Sequence, residues 1–154
     1  MNTAVQDSIE RQITVRAKKE RVFNAISDPE QIVAWFPDRV DGKFEVGERP
    51  IFTFGEGYKC QLYVVAREPF DYFAYRWVPS SEDADTGFLG DVLTQPNTLV
   101  EFRLTESVAG GTTVTLKESG FASLPEDVAA KLFKGNTDGW KFMIDRLETL
   151  MNQE

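Results

Sequence analysis

The last third of the chain limits its fold most. After Leu124-Pro125-Glu126-Asp127, the residues Val128, Leu132, Asn136, Trp140, Met143, Ile144, Leu147 and then Leu150 or Met151 recur at steps of three and four. That spacing places them on one face of a single helix running to about Leu150. Such a helix is roughly 39 Å long at ~1.5 Å per residue. It is too long and too amphipathic to stand alone, so its apolar stripe must lie along something broad. The stretch before it, Gly110 to Phe121, reads as a hairpin turn followed by a strand.

The rest of the chain supplies a sheet. Residues 1–7 are polar and expected to fray. A first strand, at a sheet edge, is read over Ile9–Arg16, and a short helix over Lys18–Ser27 with Val22, Phe23 and Ile26 on one face. Asp28 can cap a second short helix over Pro29–Trp35, and Pro29 suits its first position because that amide has no intrahelical partner. Alternation then marks strands over Asp41–Val46, Pro50–Phe54, Tyr58–Arg67 and Tyr72–Val78. The stretch 79–96 is irregular, acidic in its first half and apolar in its second. A loop of that length packs on the body, covers a pocket or meets a second copy of the chain as a homodimer contact. The clearest hairpin joins Leu99–Glu106 to Thr112–Ser119. One strand, two short helices, about six antiparallel strands and a long helix make an α+β domain of about seven strands, with the helix on one sheet face.

Composition narrows the function classes. The 154 residues suit a single domain spanning 1–154 that needs no staples. A net charge of −8 argues against nucleic acid and against anionic membrane surfaces. No run approaches the ~20 apolar residues of a membrane span. No signal peptide is visible either, so a cytoplasmic protein is expected. The chain contains no histidine, which removes histidine-based triads and the commonest metal ligand. Cys60 is the single cysteine, so no intramolecular disulfide forms. No metal or cofactor is expected. Twelve phenylalanines fit either a deep core or a wide apolar pocket.

A few residues stand out for chemistry. If Val114 and Leu116 point inward, Glu118 does too, by the two-residue period of a strand. It is then a polar anchor for a ligand, or an acid whose pKa is raised by desolvation, or else a rim carboxylate paired with a nearby Lys, Arg or backbone amide. Asn136-Thr137-Asp138-Gly139-Trp140 reads as an interruption of the long helix. A glycine there costs about 1 kcal/mol relative to alanine, so Gly139 is expected to let the helix approach the sheet or bend. Asn136 and Trp140 either line a pocket or serve the core. Trp35, Tyr58, Tyr75 and Trp77 carry polar tips on apolar bodies and are open to the same two readings. Cys60 reads as an inert inward-facing residue.

Arg16-Ala17, Val22-Phe23-Asn24-Ala25-Ile26-Ser27-Asp28-Pro29, Trp35-Phe36, Gly42 to Gly47, Gly111 through Phe121, Asn136, Gly139-Trp140 and Leu147 occur in an order that resembles the SRPBCC (START/Bet v 1-like) superfamily. Within it, the chain resembles the group homologous to the C-terminal domain of the Hsp-90 ATPase activator. The resemblance implies a helix-grip fold: a curved antiparallel sheet around a long C-terminal helix, with an apolar cavity between them. It also implies an apolar small-molecule partner such as a lipid, polyketide or flavonoid-like compound, with a role in stress response. Two alternatives stay open. One is a cyclase or dehydratase acting on an aromatic substrate through Glu118 or a tyrosine. The other is a module that contacts the chaperone and regulates the Hsp-90 ATPase. The lining expected from the inner faces is Phe52 and Phe54, Tyr58 and Leu62, Tyr75 and Trp77, and Phe102, with Trp35 and Phe36 from the second short helix. Glu118, Asn136 and Trp140 complete it.

Overall fold

The computed structural model describes residues 7–55, 58–78 and 91–153. In chain order the elements are β1 (Ser8–Val15), α1 (Lys19–Ser27), α2 (Pro29–Ile32), β2 (Arg39–Asp41), β3 (Ile51–Phe54), β4 (Tyr58–Glu68), β5 (Tyr72–Trp77), β6 (Thr98–Glu106), β7 (Thr112–Ser119) and α3 (Glu126–Met151). The strands form one seven-stranded sheet in the order β1-β7-β6-β5-β4-β3-β2, and every neighbouring pair is antiparallel. β1 is an edge strand, as expected of it. It returns from outside the meander to pair with β7, setting Ile9 opposite Glu118 and Ile13 opposite Val114. A register shift between Val64 and Ala66 bulges β4, and bulges of this kind sharpen the local twist.

Local chemistry explains the helices. The Asp28 side chain accepts the Glu30 amide at 2.9 Å, with Pro29 at the first turn of α2. The helical part of α2 ends at Ile32, short of the expected Trp35, and turns carry the chain on to Phe36. Helix α1 buries Val22, Phe23, Ala25 and Ile26. Helix α3 buries Leu132, Asn136, Trp140, Ile144, Leu147 and Met151, the same stripe at steps of three and four. The spacing also places Val128 on that stripe; its side chain lies outside what the structure describes. At about 1.5–3 kcal/mol per fully buried large apolar side chain, this stripe is what fastens α3 to the sheet.

Three expectations are corrected. The strand read over Asp41–Val46 ends at Asp41. Gly42 has φ +117°, and a Cβ there would meet the Pro50 Cα at 2.9 Å, so the chain must turn at this point. Phe44 then folds back onto Phe52 and Phe73, with ring centroids 5.9 and 5.6 Å away. Helix α3 is not interrupted between Asn136 and Trp140. Gly139 is exposed with nothing near its missing Cβ, so it neither brings the helix to the sheet nor fills a packing need. Asp7, expected to fray, is held: its carbonyl accepts the Gly120 amide at 3.0 Å, and its carboxylate accepts the Ala122 amide at 3.0 Å.

Most of the irregular stretch 79–96, together with the alternatives raised for its apolar half, lies outside the described residues. Its end, 91–96, packs on the body. Val92 is buried, its amide donates to Gln61 Oε1 at 2.9 Å, and Asp91 pairs with Arg49 at 3.2 Å. The outer face of the sheet carries polar contacts. Glu101 accepts from the Tyr72 hydroxyl and pairs with Arg103 on its own strand, while Arg76 donates to Asn97.

Glycines in different settings give opposite predictions. A Cβ on Gly111 would sit 2.0 Å from the Val15 carbonyl oxygen, backbone that can only yield by separating β1 from β7. Gly111→Ala should therefore destabilise the fold by about 2–4 kcal/mol. Gly139→Ala, mid-helix and unobstructed, should stabilise it by about 0.5–1 kcal/mol. Urea unfolding of both variants checks the pair.

Candidate functional site

On β7 the side chains Val114, Leu116 and Glu118 alternate inward and are all buried, and Glu118 is 0 % exposed. A carboxylate at such a place must find donors, because burying it bare costs many kcal/mol. It finds them on three other elements. From β5, the Trp77 indole N–H donates at 3.0 Å, and from β6 the Thr98 hydroxyl donates at 2.5 Å. From α3, the Trp140 indole donates at 2.7 Å and the Asn136 amide reaches both carboxylate oxygens at 3.2 Å. Among the described residues no Lys or Arg pairs with Glu118. It is therefore not a rim carboxylate. It is an interior carboxyl group held by uncharged donors.

Indole and amide N–H groups cannot accept a proton in return, so this cluster fixes the direction of every bond but one. The Thr98 hydroxyl alone can turn to accept. Burial pushes the Glu118 carboxyl above its ordinary range, while Thr98, Trp140, Trp77 and Asn136, in that order, hold it down. Burial likewise raises the Cys60 thiol to about 12, which leaves it inert. Tyr75, also fully buried, is raised well above the usual phenol value by burial and then by the charge of Glu118.

Around this cluster the aromatic candidates meet. Phe36 is the hub, with ring centroids 5.2 Å from Trp35, 5.4 Å from Phe52, 5.6 Å from Phe54, 5.8 Å from Trp77 and 5.2 Å from Trp140. Trp140 also lies 5.7 Å from Trp77 and 6.1 Å from Phe102. Leu62 stands beside Trp77 in the sheet register and is buried. Trp35 belongs to the group by its ring only: its indole N–H is spent on the Ala25 carbonyl at 2.9 Å, so it offers no polar tip. Tyr58 takes its place in β4, but its side chain lies outside what the structure describes.

Thr98 is the participant the sequence reading missed. The alternation Val100, Phe102, Leu104, carried one step back, places it inward, and β6 begins at Thr98, one residue before the expected Leu99. Elsewhere, between the end of α2 and the end of α3, Ala34, Asp145, Arg146, Thr149, Leu150 and Gln153 line an open hollow of about 340 Å³. It shares no residue with the Glu118 cluster.

A sheet of this order with a long helix laid across one face is the helix-grip fold. Residues 16–152 match the family described as Activator of Hsp90 ATPase homolog 1-like protein, and the chain belongs to that family. Among solved structures it is similar to protein MLL2253 from Mesorhizobium loti, at 23% identity, covering 93% of this chain and 95% of that one with a TM-score of 0.74. It is also similar to DynU16, a protein in the dynemicin biosynthetic locus, at 26% identity, over 94% of this chain and 46% of that one with a TM-score of 0.71. The Aha1 dimer from Colwellia psychrerythraea is similar at 17% identity, over 96% of this chain and 97% of that one with a TM-score of 0.70. No curated protein matches the chain significantly. Among the described residues no helix is long and apolar enough to cross a membrane.

The raised carboxyl has a measurable consequence. A carboxyl lifted on folding holds its proton more tightly in the folded chain. The contribution of Glu118 to stability is therefore fullest below the ordinary value of 4.5 and is lost as pH rises through the folded value. Glu118→Gln removes that loss, although its amide also faces an indole donor and costs about 1–3 kcal/mol throughout. Urea unfolding at pH steps upward from 4.5 should show the variant gaining on the parent as pH rises. A difference that does not vary with pH would mean that Glu118 titrates like an exposed carboxylate.

Proposed function

We propose that the chain binds an apolar, ring-bearing small molecule between the sheet and α3, against Phe36, Trp77, Phe102 and Trp140. The observation that carries this reading is the buried Glu118, which no cation pairs with among the described residues. An apolar side chain of similar volume would serve a plain core as well or better, since buried charge is a weak source of stability. What Glu118 supplies is orientation: it ties the indole edges of Trp77 and Trp140 and so fixes how their faces meet Phe36, Phe102 and each other. Flat faces held by their edges are a surface on which a planar ligand stacks, exchanging ring–ring contacts for ring–ligand ones. The likeness to DynU16, a protein in a biosynthetic locus, is consistent with a small organic ligand.

An enzymatic role through Glu118 draws less support. Its oxygens already accept bonds from Trp77, Thr98, Asn136 and Trp140, so a proton transfer to substrate would require one donor to let go. Regulation of the Hsp-90 ATPase would act through the surface, and no feature of the site favours it.

The test is a panel of lipids, polyketides and flavonoids followed by tryptophan fluorescence and thermal shift. At least one class should quench Trp77 and Trp140 saturably and raise Tm, and Trp140→Ala should weaken that binding tenfold or more. A panel with no quenching and no shift would remove the binding reading.

A further inference from the structure

We infer that Tyr75 is the polar recognition point of this site and that the ligand it selects carries a hydrogen-bond acceptor, such as a carbonyl oxygen, at its buried end. This rests on the binding reading above. The inward rings beside Tyr75 on the sheet, Phe52, Phe73 and Phe102, have no polar atom, and Tyr75 lies 6.2, 5.8 and 6.5 Å from them. Tyr75 is 0 % exposed, and its hydroxyl has no hydrogen-bond partner among the described residues. The nearest polar groups are spoken for. Glu118 is engaged by its donors on β5, β6 and α3, and the Cys60 thiol donates to the Val78 carbonyl at 3.2 Å. The charge of Glu118 bears on the phenol without a bond joining them.

A buried hydroxyl left unsatisfied works against the fold, and phenylalanine, which the chain uses at the adjoining positions, would avoid the loss. The hydroxyl therefore answers a need that the apolar packing does not have. Its raised pKa keeps it protonated across the working range, so it meets an incoming group as a donor. Burial at this spot, with the Glu118 carboxyl nearby, disfavours a carboxylate or other anion, which leaves a neutral acceptor. Glu118 is then the positioning residue for Trp77 and Trp140, and Tyr75 is the group that reads the ligand.

Benzophenone and diphenylmethane, which differ by one carbonyl group, separate the possibilities when titrated by calorimetry into the parent and into Tyr75→Phe. The parent should prefer benzophenone. Tyr75→Phe should lose about tenfold in affinity for benzophenone and stay within about twofold for diphenylmethane. The infrared carbonyl band of bound benzophenone should lie lower in the parent than in the variant, a change that loss of packing alone would not produce. Equal affinities for both compounds in both proteins, with an unmoved carbonyl band, would overturn the role of Tyr75 while leaving the binding site standing. Failure of both compounds to bind the parent would overturn this inference, and together with a blank panel it would remove the site as well.

Discussion

A single buried carboxylate joins the sheet to the helix that crosses it. Glu118 sits on β7 and collects donors from β5, β6 and α3, residues 18 to 41 positions apart in the chain. Taking that charge out of water costs several kcal/mol, and each donor returns about 1.5–3 kcal/mol only if its geometry is good. The cluster is therefore sensitive as a whole. Removing one donor leaves the anion under-satisfied, and removing the anion leaves two indoles and an amide without acceptors. Within this arrangement α3 cannot slide or rotate on the sheet without breaking bonds to Asn136 and Trp140.

The aromatic shell gains its order from that cluster. Phe36 arrives from the turn after α2, Trp77 and Phe102 from the sheet and Trp140 from the helix, and they meet edge-on or tilted at ring separations of 5.2 to 6.1 Å. Such contacts are individually worth about 0.5–1.5 kcal/mol beyond their area and are permissive about angle. With Trp77 and Trp140 fixed at their N–H edges, the permissiveness is removed and one mutual arrangement of the rings is selected. Membership of the Activator of Hsp90 ATPase homolog 1-like family fixes the fold and does not by itself assign an activity, since one fold hosts many functions.

The architecture was legible in the sequence because it depends on periodicity. The two-residue alternation of Val114, Leu116 and Glu118 turned the carboxylate inward, and the three-and-four spacing from Leu132 to Met151 gave the helix its buried face. What could not be read was who meets whom. The partners of Glu118 come from elements separated by long stretches of chain, and only the sheet order brings them together. Local rules also misled at two glycines. Gly42 ended a strand that alternation would have continued, because its backbone lies where only glycine is at ease. Gly139 looked like a packing device and is simply exposed. Thr98 was missed by a one-residue error in a strand boundary, the least certain feature of any sequence reading.

The central claim is that Glu118 holds Trp77 and Trp140 as the walls of a ligand site. Its most direct test is a proton–nitrogen NMR spectrum of the indole groups recorded while an aromatic compound is titrated in. The account predicts that the Trp77 and Trp140 indole signals move together and saturate, while Trp35, tied to the Ala25 carbonyl, moves less. Indole signals that stay fixed while the changes fall on Arg146, Thr149 and Gln153 at the open hollow would contradict it.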